Sequence, residues 1–383
     1  MKLCKIIIKC FRRFDNVTLD LTYPTGHPLA GEPLDKVCFT GLNGCGKTTL
    51  LEVLRDALNS VVGFRDIPLL VMKLKVNDNF VYTVHSKEMP KVLIFKDTIE
   101  QEENWIDKVA STFNNADNFT LQQYLYSRYL LQGHYYNQVV QELPLKSNSG
   151  DLLIFSPATL GAAASADEVI NAVTMRDAER LFKEMPFYHC VSEKNLAEFW
   201  QQLIFQARRR DNLFKAFLSE PDNQDRKVRQ LHTDFEQNHP QFLKKLSERW
   251  NELLQPLGLM FNPEAAAPVQ PCDKLLPRIC FAQNEHPLSY DMLSCGLRRL
   301  LFTLGHIYAL FYGSKIKRAF VLLDGLDCNV HPSLIKKAFD ILLCISDAQL
   351  FVTAHTPMLQ SLFEPFEQVQ LGFTSDGFIE VKK

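Results

Sequence analysis

The chain has 383 residues, of which 46% are hydrophobic and 22% charged, and a formal net charge of −2. That length holds two or three cores, or one large α/β unit with an insertion. The near-neutral balance excludes a global field that would draw the chain to nucleic acid or membrane, so any such binding has to come from local patches. Ten cysteines include no C-x-x-C pair, which excludes a zinc-hook type of metal dimerisation and reads as reduced, mostly buried thiols in a cytosolic protein.

The N-terminus, MKLCKIIIKCFRRF, interleaves lysines with isoleucines and lacks a small-residue cleavage site. It is predicted as a strand rather than a signal peptide. Residues 5–9 and 17–21 read as two strands joined by a basic turn over 10–16, and a Pro/Gly-rich loop over 23–33 leads into a buried strand at 36–40. Residues 39–50, FTGLNGCGKTTL, then satisfy GxxxxGK[ST] from Gly41 through Gly46, Lys47 and Thr48. In such a loop the glycines let backbone N–H groups turn inward around phosphates, the lysine reaches the β- and γ-phosphates, and the hydroxyl ligates Mg²⁺. Apolar residues recur at helical spacing over 48–62, so the loop opens a helix whose N-terminus attracts anions. The nucleotide-binding positions are Gly41, Asn43, Gly44, Cys45, Gly46, Lys47, Thr48 and Thr49, with ATP and Mg²⁺ as the expected ligands.

Strand-like runs follow at 69–76, 80–85 and 91–95. An acidic stretch begins at Asp97, and an aromatic helical segment near 121–140 ends at the linker-like SNSG of 147–150. Residues 151–156, DLLIFS, form another apolar strand. Over 165–257 the pattern is of polar helices broken at Pro186, Pro221 and Pro240, without sustained heptads, and reads as a compact helical insertion. Its basic run at Arg208, Arg209 and Arg210, with Lys215, Arg226, Lys227 and Arg229, is either a solvated helix face or a phosphate-backbone footprint. Asp211, Glu220, Asp222 and Asp225 dilute it, and DNA is left open as a ligand. His189, Cys190 and His331 assemble no metal set. A loop at 262–272 returns the chain to strand at 278–281. The most apolar helix, 300–312, contains His306 and is too short to span a bilayer.

Three further stretches complete a nucleotide site. Leu293-Ser294-Cys295-Gly296-Leu297-Arg298 fits the LSxG core of LSxGxx[RQ] immediately before an apolar helix. Residues 318–324, RAFVLLD, form an apolar strand that ends in Asp324, the expected Mg²⁺-holding carboxylate. Residues 350–357, LFVTAHTP, form a second apolar strand that ends in His355, at the place of a switch histidine beside the γ-phosphate or attacking water.

With CFRRF at 10–14, GLNGCGKTT, LSCGLRR, LLDGLDCNVHP at 322–332 and VTAHTP at 352–357, the chain resembles the RecF, SMC and OLD-like branch of ABC ATPases. The resemblance covers roughly 1–60 and 275–383. It implies an α/β ABC-type ATPase head with a mixed β lobe, a parallel sheet and a helical insertion, divided as 1–160, 161–260 and 261–383. It further implies that Ser294 and Gly296 close over a nucleotide held on a second subunit, so that ATP drives a homodimer or higher homo-oligomer. One position departs from the branch: Gly325 stands where its glutamate polarises water. Loss of a positioned base commonly costs about 10²–10⁴ in rate. Asp327 is the nearest carboxylate, although in related motifs an acidic residue stands there beside the glutamate. His355 and Asp327 are the catalytic candidates, and slow or absent hydrolysis is expected.

The stretch after His355 is too short for the Toprim nuclease of OLD-type proteins, and no HNH constellation is visible. The expectation is a cytoplasmic, ATP-gated scaffold or sensor of antiphage defence controlling a separate effector such as a nuclease. A DNA-dependent ATPase of repair or recombination is the first alternative. A transporter nucleotide-binding subunit is the second, and no membrane-coupling context favours it.

Overall fold

The computed structural model describes residues 2–59, 70–76, 79–85, 92–95, 151–157, 188–191, 210, 212–223, 226–238, 242–262, 278–283, 287–288, 292–313, 318–343 and 348–382. The acidic and aromatic stretches over 97–150, and Arg208 and Arg209, lie outside them.

The first hairpin pairs β1 (Lys2–Phe11) with β2 (Phe14–Asp20), in register from Lys5 opposite Asp20 to Phe11 opposite Phe14. Both strands run further than the sequence pattern suggested, because Phe11 and Phe14 are buried and hold the ladder to the tip. The turn shrinks to Arg12 and Arg13, with Arg12 at φ 54. Then come β3 (Lys36–Gly41), α1 (Lys47–Asn59), β4 (Leu70–Val76), β5 (Asn79–His85), β6 (Val92–Phe95), β7 (Asp151–Ser156) and β8 (Tyr188–Cys190). Helices α2 (Val228–Asn238) and α3 (Phe242–Leu254) follow, with β9 (Leu259–Asn262), β10 (Arg278–Phe281) and β11 (Pro287–Leu288). The chain continues through α4 (Cys295–Gly313), β12 (Arg318–Leu323), α5 (Pro332–Leu343), β13 (Ala348–Thr353), α6 (Pro357–Gln360), β14 (Gln368–Phe373) and β15 (Ile379–Lys382).

Twelve of these strands form one sheet in the order β6-β5-β4-β1-β2-β15-β14-β3-β13-β12-β7-β8. From β14 to β8 the neighbours are parallel, and from β6 to β2 they are antiparallel. The joint is β15, antiparallel to β14 and parallel to β2. It merges the antiparallel lobe with the parallel core, and sequence patterning did not anticipate it. The fold is therefore mixed α/β, as expected, with the β lobe antiparallel from β6 to β2 and the sheet parallel from β14 to β8. Gln349, fully buried in β13, adds a second tie: its amide accepts from Leu3 N–H and donates to the carbonyls of Leu3 and Leu34.

Strand alternation explains the two layers. In β12, Ala319, Val321 and Leu323 face a core with Trp250 of α3, Leu300 of α4 and Ile335 of α5. Phe320 and Leu322 face the opposite core, with Leu50, Leu54 and Ala57 of α1. Both faces of a parallel strand are covered, which is why its sequence is a continuous apolar run. Two elements depart from the expected helical insertion over 161–260. β8 adds to the edge of the main sheet alongside β7, and α3 buries Leu246, Trp250, Leu253 and Leu254 in the ATPase core. A second sheet, β11-β10-β9, lies where a loop and one strand were read. None of the described helices is long and apolar enough to cross a membrane.

Candidate nucleotide site

Parallel strands that share a direction bring their C-terminal ends to one edge. Here β3 ends at Gly41, β13 at Thr353 and β12 at Leu323, directly before Asp324. In open α/β sheets such an edge is where ligands bind. The loop leaving β3 is shaped by glycines at positive φ: Gly41 at 129°, Gly44 at 83° and Gly46 at 89°. Gly46 needs its missing side chain as well as its φ, since a Cβ would lie 2.6 Å from Ile379 Cδ1 and 2.7 Å from Phe14 Cζ. The tip of the first hairpin and β15 therefore press on the phosphate loop from the antiparallel lobe.

Lys47, nearly fully buried, donates to the carbonyls of Gly41 at 2.8 Å and Leu42 at 3.0 Å. Asn43, Gly44 and Thr48 are exposed, whereas Cys45 is buried. Its sulfur lies 2.8 Å from where a Cβ on Gly41 would stand, so the Cys45 side chain packs the loop from within. Thr49 is half-buried behind Thr48 at the first turn of α1.

Asp324 is buried, and Thr48 Oγ1 lies 2.9 Å from its Oδ2 and 3.1 Å from its Oδ1. Two stretches far apart in the chain thus present a hydroxyl and a carboxylate to one point. This oxygen pair fits Mg²⁺, which favours one or two protein oxygens alongside phosphate. The glycine cradle and the buried ammonium fit the phosphates of ATP. Thr353 and Arg299, both unassigned from sequence, complete the surroundings. Thr353 Oγ1 donates to Asp324 Oδ1 at 2.7 Å and accepts from Gly325 N–H at 2.6 Å. The Arg299 guanidinium, buried, donates to the carbonyl of Asp324 at 2.8 Å and to that of Gly325. Burial lowers the Arg299 pKa, and nearby Cys328 acts against that shift. The signal for Thr353 is its place at the end of a strand beside the carboxylate strand; Arg299 falls on the closing [RQ] of LSxGxx[RQ], directly before the apolar run that opens at Leu300.

Gly325 itself sits at φ 58. Asp327, also buried, accepts from the N–H groups of His355 at 2.9 Å and Thr356 at 2.6 Å through Oδ2. Its Oδ1 has no hydrogen-bond partner among the described residues. The His355 side chain is exposed at the strand edge. Ser294 is exposed and caps α4, accepting from Leu297 N–H at 3.3 Å. Among the described residues it bonds within its own helix. Gly296 abuts Asn329 so closely that a Cβ would overlap the Asn329 carbonyl. In the basic run, Arg210 pairs with Glu236 at 3.2 Å and Arg226 pairs with Asp234.

A glycine loop between strand and helix, a buried lysine within it, and a hydroxyl facing a strand-end carboxylate define a P-loop nucleotide-binding ATPase. The chain matches the AAA ATPase domain model over residues 1–359 and belongs to that family. No curated protein matches it at a significant level. Among solved structures it is similar to a crystal structure of an SMC head bound to the C-winged helix domain of ScpA, with 10% identity, a TM-score of 0.47, and coverage of 100% of this chain and 98% of that one.

Proposed function

We propose that this ATPase-family protein works as an ATP-gated binding switch with slow or absent hydrolysis, and that its output is the capture or release of a separate effector such as a nuclease. The observation that carries this reading is Gly325. The residue after Asp324 has no side chain to polarise water, its N–H is taken by Thr353, and its carbonyl is taken by Arg299. Gly325 serves the turn with both of its backbone groups, and the glycine loop, Lys47, Thr48 and Asp324 support nucleotide binding in this reading.

In this reading Lys47 leaves the loop carbonyls to pair with phosphate oxygens, and Thr48 with Asp324 holds Mg²⁺. Bound Mg·ATP supplies the charge that a second copy's Ser294 and Gly296 recognise. In this reading ATP drives a homodimer, with Ser294, exposed at the N-terminus of α4, as the contact. His355 stands at the edge where attacking water would lie. Asp327 sets the path of the His355–Thr356 backbone through Oδ2, with Oδ1 as the remaining acceptor. Antiphage defence is the biological setting we infer, with a cytoplasmic location.

The test is ATP turnover by the purified chain with and without double-stranded DNA. Turnover well below one per minute, unaffected by DNA, supports the switch. DNA-stimulated turnover identifies a DNA-processing motor instead.

A further inference from the structure

Helix α4 begins at the stretch that meets a partner's nucleotide in the proposed dimer, and one face of it runs along the Asp324 turn. Gly296 abuts the Asn329 carbonyl, which requires glycine there. One turn on, Arg299 donates to the carbonyls of Asp324 and Gly325. A further turn on, Thr303 Oγ1 lies 3.0 Å from Ser156 Oγ, and the Ser156 carbonyl accepts from Asp324 N–H at 2.8 Å. Spacings of three and four residues place 296, 299 and 303 on one helix face. The carboxylate that faces Thr48 therefore hangs from a turn gripped by this helix on one side and by Thr353 on the other.

We propose that Arg299 is a positioning residue: by clamping the Asp324 and Gly325 carbonyls, it fixes the direction of the Asp324 carboxylate toward Thr48 and ties the metal site to the position of α4. This rests on the nucleotide-binding reading above. A buried guanidinium suits the task, because it offers several donors in a rigid fork and stays charged where lysine would more readily lose its proton. Groups that orient a metal ligand without touching the metal typically set 10–100-fold in metal affinity. A shift of α4, when its N-terminus engages the partner's nucleotide, reaches Asp324 through Arg299.

The experiment uses the full chain and two variants, Arg299→Met and Arg299→Lys. Mant-ATP affinity is titrated in EDTA and in Mg²⁺, with thermal melts alongside. Arg299→Met should bind mant-ATP in EDTA as the parent does, while the Mg²⁺-dependent gain in affinity falls roughly 10–100-fold. Arg299→Lys, with one donor group able to reach a carbonyl, should recover part of that gain. If Arg299→Met fails to melt cooperatively, the lysine variant decides alone: a reduced Mg²⁺ gain with unchanged EDTA affinity supports the assignment. A Mg²⁺ gain equal to the parent's in either folded variant overturns it. Failure of the parent chain to bind mant-ATP at all removes the nucleotide reading, and the Arg299 assignment with it.

Discussion

Thr353 donates its hydroxyl proton to Asp324 at 2.7 Å, from the end of the strand next to the one that carries the carboxylate. The same oxygen receives the Gly325 N–H at 2.6 Å. One buried side chain thereby orients the Asp324 carboxylate that faces Thr48 and satisfies the turn that follows it.

Thr353→Val keeps the shape and removes both bonds. A buried N–H left without an acceptor costs about 1–3 kcal/mol, so denaturant unfolding should show a loss of that size. Mg²⁺-dependent nucleotide affinity should fall with it. Unchanged stability and unchanged Mg²⁺ dependence would mean that the hydroxyl is dispensable.

Lys47→Ala should abolish ATP binding while leaving the fold intact. Lys47 donates to the carbonyls of Gly41 and Leu42 in its own loop. Calorimetric titration with ATP reads the result, and parental affinity in the variant would refute the site assignment.

Gly325→Glu restores the residue type found in the resembling ATPases, but at φ 58. Left-handed backbone costs a non-glycine residue roughly 1–2 kcal/mol, so Gly325→Ala and Gly325→Glu should both melt below the parent. If the missing base limits turnover, the glutamate variant nevertheless hydrolyses ATP faster than the alanine variant. Equal rates in the two variants would place the limit elsewhere.

Burial pushes the thiols of Cys4 and Cys38 from 9.0 up to about 12. In the folded chain they stay neutral over a range where the unfolded chain ionises, so their contribution is fully present below pH 9.0 and declines as pH rises toward 12. Stability measured by urea should fall through that window. In native buffer near pH 8 a thiol reagent should, among the described cysteines, label exposed Cys295 before Cys4 and Cys38, which stay protected until the chain unfolds. Prompt labelling of either buried thiol would contradict their placement.

Much of this site is legible in the sequence because its chemistry is local. The phosphate loop needs glycine, lysine and hydroxyl at fixed spacing, and an apolar strand ending in Asp324 is a pattern of its own. What escapes is contact between distant stretches. The pairing of β15 with β2 rests on the single register of Ile379 opposite Phe14, and nothing in either segment names the other. The Arg299 clamp depends on the direction of a helix face, and the short β8 lies within a stretch whose polarity favours helix. The span of the first hairpin was underestimated because a basic turn reads as a longer loop until Phe11 and Phe14 are seen paired.

The most direct test of the proposed switch is to incubate the chain with Mg²⁺ and radiolabelled ATP, isolate it by size-exclusion chromatography with mass measurement, and identify the bound nucleotide. A binding switch with Gly325 in place of the base should elute as a dimer or larger, carrying intact ATP, and as a smaller species without nucleotide. A chain of unchanged mass that carries ADP after rapid turnover would contradict it.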